Sequence, residues 1–189
     1  MKQLRFVATA LAAVIVAAPF AHAQSISALV GGYVPGSSVS QVTSGAQTVA
    51  ESRQGTLSLG ANIDFGLLRG SFAYASGTTI QNANRQDIGK GNLLGAAADL
   101  VIRPIPRILV QPYLLAGAGE KFIKYDQNAS LINGTNTTRQ FALHGGLGAD
   151  VMLGPIGVAA ELTDFVSKDA ASKWNQHDAF LMVGLKLGM

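Results

Sequence analysis

In a chain of 189 residues without cysteine, neither a disulfide framework nor a thiolate metal site is available, so folding rests on burial and hydrogen bonding. Only 13% of the residues are charged, and no basic stripe is interleaved with aromatics, which excludes nucleic acid as a partner. Mean hydropathy is positive, yet beyond Gln24 no apolar run reaches the ~18 residues of a spanning helix, so the apolar residues must be dispersed.

The first 23 residues read as a secretory signal: Lys2 and Arg5 begin it, an apolar run extends from Phe6 to Phe20, and Ala21-His22-Ala23 has the small-x-small form of a cleavage site. The alternative is an uncleaved anchor, for which the run is short of the ~20 residues required. Cleavage before Gln24 removes two of the 14 basic side chains against 11 acidic ones and leaves a net charge of +1 on residues 24–189, a length that suits one domain.

Over 56–67 the odd positions are Leu57, Leu59, Ala61, Ile63, Phe65 and Leu67, and the even ones Thr56, Ser58, Gly60, Asn62, Asp64 and Gly66. This is a strict period of two, the signature of a half-buried strand. Strands are predicted at 25–34, 55–67, 69–77, 91–103, 108–120, 139–153, 156–166 and 178–189. In the last of these, Leu181, Val183, Leu185, Leu187 and Met189 share one face.

The links between these segments alternate in length. Residues 35–54, 78–90, 121–138 and 167–177 are long and polar, whereas Leu67-Leu68, Pro104-Ile105-Pro106-Arg107 and Gly154-Pro155 are tight. That rhythm is expected of an even-stranded membrane barrel with long loops outside the cell and short turns, with both termini, in the periplasm. Lipid offers no partner to an unpaired N–H or C=O, so the sheet must close. The expected fold is all-β: an eight-stranded antiparallel up-and-down transmembrane β-barrel.

The segment Gln111-Pro112-Tyr113-Leu114-Leu115-Ala116-Gly117-Ala118-Gly119 resembles the fifth strand of small outer-membrane β-barrel domain proteins, of the OmpA-like and opacity-type families. Gly145-Gly146-Leu147-Gly148-Ala149-Asp150-Val151 and the stretch to Ala160-Glu161-Leu162 are similar to the same family. The resemblance covers essentially all of 24–189 and implies a bacterial outer-membrane location. It also implies insertion by the barrel assembly machinery, whose C-terminal signal the closing strand resembles, although Met189 stands where an aromatic is usual.

If Leu181 and its odd neighbours face lipid, parity sends Asp64, Asp99, Arg103, Asp150, Glu161 and Lys186 into the lumen, with Gln111, Tyr113 and His144 as further members of a polar network. So narrow a lumen fills with side chains, and its charges require partners. The network reads either as a structural plug that fixes register or as a gate along an ion path. Small inward residues, among them Gly95, Ala97, Gly117, Gly119, Gly146 and Gly148, are expected to make room for larger side chains opposite. Trp174, Tyr125 and Phe122, in or beside the long loops, are expected to anchor at the membrane interface.

No pattern names a catalytic residue, cofactor or metal. A nucleotide loop at Gly145–Gly148 lacks the strand-to-helix switch, and His144 comes with no G-x-S-x-G nucleophile. His177, beside Asp178, makes no metal site alone. The leading expectation is a structural or surface-interaction protein of the envelope, with outer-membrane lipid as its surroundings and four loops available to a surface partner. A lipid-modifying membrane enzyme is one alternative. A soluble lipocalin-like barrel, the inside-out version of the same alternation, is the other. Mass spectrometry of the protein extracted from envelopes is expected to find Gln24 as its first residue.

Overall fold

The structure, a computed structural model, describes residues 24–36, 40–44, 47–81, 87–105, 109–126, 137–168 and 174–188. The expected leader, 1–23, and Met189 lie outside the described residues.

A two-residue apolar period segregates side chains only on a pleated backbone, and the described chain is strand nearly throughout. In order it forms β1 (Gln24–Pro35), β2 (Ser40–Ser44), β3 (Gln47–Arg53), β4 (Thr56–Phe65), β5 (Leu68–Gln81), β6 (Asp87–Ile102), β7 (Val110–Tyr125), β8 (Thr137–Leu153), β9 (Ile156–Lys168) and β10 (Trp174–Gly188). Every pairing is antiparallel. β1 pairs with both β4 and β10, and β5 pairs with β6, so eight strands close into a ring without an edge. β2 and β3 form a hairpin inside the first long link, and β3 joins the wall through Ser52↔Gln81 and Arg53↔Ile80.

Paired residues followed once round the ring run from Lys186 through Ser27, Asn62, Ser71, Ala97, Gly119, Ala142 and Ser167 to Gln176, ten residues from the start on the same strand. For eight strands that stagger implies a tilt of about 40° and a backbone radius of about 8 Å. Such a barrel is just wide enough for its own side chains to fill.

Sidedness follows parity. Leu57 is 78% exposed and Leu185 62%, whereas Lys186 is 4% and Asp64 3%. The inside-out alternative, with Leu57, Leu59 and Leu185 packed together within, is thereby contradicted.

Three expectations need correction. Strands run further into the long links than the alternation indicates: β5 reaches Gln81, β6 begins at Asp87, β7 reaches Tyr125 and β10 begins at Trp174. Backbone pairing persists there, but the outward side chains become polar and the hydropathy contrast vanishes. The first tight turn centres on Gly66-Leu67 rather than Leu67-Leu68, because Gly66 supplies the positive φ of 64°; Gly154 does the same at 71°. The lumen is also not uniformly charged and small. Leu29, Leu93, Ile123, Phe165, Phe180 and Met182 form an apolar layer inside it.

That layer explains part of the small inward set. A Cβ on Gly95 would lie 2.7–3.1 Å from the Phe165 ring, and one on Gly148 would meet the Tyr113 ring. At Gly117, Gly119 and Gly146 the nearest atoms are instead carbonyl oxygens of the adjacent strand, so there the absent side chain permits close backbone approach. Overpacking costs about 1–3 kcal/mol. Gly95→Val is expected to lower unfolding stability in detergent by that amount in a urea titration, and adding Phe165→Leu is expected to restore part of it.

Candidate functional site

The Gly66-Leu67 turn sends the chain directly back, making Arg69 on β5 the cross-strand partner of Asp64 on β4. Their side chains meet inside the barrel, with Arg69 Nε 2.5 Å from Asp64 Oδ1. Arg69 Nη1 also reaches Glu161 Oε2 at 3.1 Å. Glu161 accepts further from Asn62 Nδ2, at 3.1 and 3.0 Å to its two oxygens, and from the Tyr113 hydroxyl at 2.8 Å. The Arg69 guanidinium lies 4.6 Å from the centroid of the Tyr113 ring.

On the opposite wall Lys186 Nζ donates to Asp64 Oδ2 at 2.7 Å and to Asp150 Oδ2 at 2.6 Å. Arg103, with a side chain 25% exposed at the short-turn rim, approaches the same two carboxylates at 3.3 and 3.9 Å. Three cations therefore face three carboxylates in one buried cluster. That balance matters, because each isolated ion would cost several kcal/mol to desolvate.

Deeper in the lumen Asp99 accepts from the Ser71 hydroxyl at 2.5 Å and lies 2.8 Å from His144 Nδ1. The His144 ring stacks on Phe165 with centroids 4.1 Å apart. A hydrolytic triad would need the hydroxyl on the histidine. Here it donates to the carboxylate instead, so the three residues do not form one. Toward the long loops the buried Lys121 pairs with Asp178, which also accepts from the Tyr33 hydroxyl. Tyr33 in turn packs on Phe180, ring centroids 5.2 Å apart.

Of the nine residues expected in the lumen, Asp64, Tyr113, Asp150, Glu161 and Lys186 converge in the first cluster with Arg103 at its rim, and Asp99 and His144 form the second. Gln111 is half-buried opposite Asp150 and, among the described residues, makes no side-chain bond to the network. His177 faces outward and its Nδ1 lies 2.6 Å from Asp164 Oδ2 rather than against the side chain of its neighbour Asp178. Among the described residues, no group of three metal-ligating side chains converges.

Arg69, Lys121 and Asp178 are missing from the expected set. Parity could have found each: Arg69 lies across a turn from Asp64, Lys121 extends the inward series of Tyr113, Leu115, Gly117 and Gly119, and Asp178 extends that of Lys186, Gly184, Met182 and Phe180. Placing 121 in a loop hid Lys121, whereas Asp178 opened the expected strand 178–189 and was not carried into the inward series.

No family model matches the chain, and no curated protein matches it in sequence. Solved structures do resemble it. The outer membrane protein OprG from Pseudomonas aeruginosa is 15% identical, with a TM-score of 0.59 over 89% of this chain and 96% of that one. Neisserial surface protein A is also 15% identical, with a TM-score of 0.52 over 87% of this chain and 96% of that one. With its closed eight-strand ring, apolar exterior and filled lumen, the chain has the fold of the small outer-membrane β-barrels.

Proposed function

We propose that the protein is an integral outer-membrane barrel with a structural or surface-interaction role, its lumen a plug rather than a wide pore. The observation that carries this reading is the pairing of an apolar outer wall with an interior filled by buried apolar side chains and by charged groups held in ion pairs. Conduction needs a continuous polar path. Leu29, Met182, Phe180 and Phe165 pack within the lumen, where desolvating an ion is costly, and the polar groups beside Phe165, Asp99 and His144, are taken up by each other and by Ser71.

In this reading the short turns and both termini face the periplasm, and the barrel assembly machinery takes up the closing strand. Loops 35–54, 78–90, 121–138 and 167–177 are then displayed to the exterior, with the hairpin of β2 and β3 inside the first. The lumenal residues Asp64, Asp99, Arg103, Tyr113, His144, Asp150, Glu161 and Lys186 hold the plug and its register, and no catalytic role is assigned to them.

Planar-bilayer recording of the refolded protein is expected to show no steady conductance, and a steady current altered by Lys186→Ala would overturn the plug. The same substitution strips the cation between Asp64 and Asp150. It is expected to cost about 3–5 kcal/mol in detergent unfolding, read also as a lower temperature for losing the compact gel mobility of the unboiled barrel. Recovery of the protein in a detergent-free soluble fraction would remove the membrane placement altogether.

A further inference from the structure

On four consecutive strands the outward face carries a cation near the long-loop end: Lys90 on β6, Lys124 on β7, Arg139 on β8 and Lys168 on β9. All four are exposed. The register sets them in a row, since Lys124 pairs with Asn92, two residues from Lys90, and with Thr137, two residues from Arg139. Ala142↔Ser167, extended by one step, brings Lys168 opposite Phe141, again two residues from Arg139. With this tilt each partner is lifted by about 3 Å, while two residues along a strand span about 5 Å of height, so successive cations differ in level by only about 2 Å.

Aromatic rings fix their depth. Arg139 lies 5.6 Å from the centroid of Phe122, Lys168 Nζ 5.4 Å from that of Trp174, and Phe141 meets Trp174 edge-on at 6.3 Å. Aromatic girdles mark the boundary between hydrocarbon and headgroups, so the cations stand at headgroup level. Arg139 is held by Glu120, with Nε 2.8 Å from Oε2. Among the described residues no ion pair engages the side chains of Lys90, Lys124 or Lys168; the acidic neighbour on this face is Asp126, whose carboxylate accepts from the Lys90 backbone N–H, and Lys168 lies over Trp174.

Among the residues whose side chains are described, the arc occupies one half of the long-loop rim. At the same end, β10, β1, β4 and β5 present no outward lysine or arginine among the residues whose side chains are described. Around the short-turn rim the fully exposed side chains among the described residues are apolar, including Leu67, Leu68, Ile102, Leu153 and Ile156, and the partly exposed Arg103 is turned to the lumenal carboxylates. Four adjacent strands span about 15 Å, more than one phosphate group covers. We infer that this arc binds the phosphate groups of a multiply phosphorylated glycolipid in the leaflet that the long loops face, an inference that rests on the membrane reading above.

The test uses the full mature chain and a Lys90→Gln, Lys124→Gln, Lys168→Gln variant, both inserted in neutral phosphatidylcholine vesicles and titrated with bis-phosphorylated lipid A. The wild type is expected to bind at least about tenfold more tightly, with the advantage lost in high salt and with dephosphorylated lipid A. Equal binding by the two proteins overturns the inference, as does equal binding of the dephosphorylated lipid or of singly charged phosphatidylglycerol. If the triple variant lacks the compact unboiled mobility, Lys124→Gln and Lys168→Gln are read singly, each with an expected loss of about fivefold, and no loss in either overturns the inference. Failure of both proteins to float with neutral vesicles would overturn the membrane reading itself, whereas flotation without phosphate preference would overturn only the arc.

Discussion

Hydrocarbon cannot hydrogen-bond to a peptide group, and so the seam between β1 and β10, from Ser25↔Gly188 to Pro35↔Asp178, is the contact on which the rest of the molecule depends. The two strands are the ends of the described chain, and their pairing converts a curled sheet into a ring. Once the seam forms in its one register, the ten-residue stagger is fixed, and with it the tilt and the radius. The cross-section of the interior is therefore settled by backbone pairing before any lumenal side chain is considered.

That cross-section has to be filled at protein density, and the chain fills it with two materials. Apolar side chains from β1, β6, β7, β9 and β10 occupy the middle, and smaller residues face them so that rings such as Phe165 and Tyr113 have room. Ionic groups fill the rest, the Asp99–His144 pair at the level of Phe165 and the larger cluster nearer the short turns. Their desolvation is offset because none stands alone: Glu161 takes hydrogen bonds from Asn62, Arg69 and Tyr113, and Asp64 from Arg69, Lys186 and Ser25. The larger cluster balances three carboxylates with three cations and is intolerant of losing one member, since the remaining partner would keep its burial and lose its counter-charge.

The period-two pattern made the wall legible from the residues alone, because lipid on one side and a packed lumen on the other impose opposite demands on alternate positions. Asp64, Asp150, Glu161 and Lys186 followed from it without further information. What parity could not convey is which lumenal side chains meet, since that depends on the stagger, and the stagger is a property of the closed ring rather than of any strand. Strand ends were lost for another reason. Near the long loops the outward faces of β5, β6, β7 and β10 carry polar residues and the inward ones include Lys121, Gln176 and Asp178, so the hydropathy alternation fades while the ladder continues, and Lys121 fell outside the expected strands. The apolar layer escaped because the inward series were searched for charges and glycines, although Leu29, Phe165, Phe180 and Met182 have the same parity as the polar residues beside them.

The charges do something the apolar layer cannot. A barrel wall of Leu, Val, Ala and Gly is poorly discriminating: sliding one strand by two residues keeps every side chain on its face and exchanges one small or apolar contact for another. The ionic partners do not allow it. A two-residue slip between β4 and β5 separates Asp64 from Arg69, and one between β10 and β1 carries Lys186 away from Asp64, leaving buried charges with fewer partners. A one-residue slip is excluded more strongly, because it turns these groups toward lipid, where each cation costs about 2–4 kcal/mol at the midplane. Volume is supplied by the apolar side chains and uniqueness by the clusters, which is why the lumen retains so many ionisable side chains.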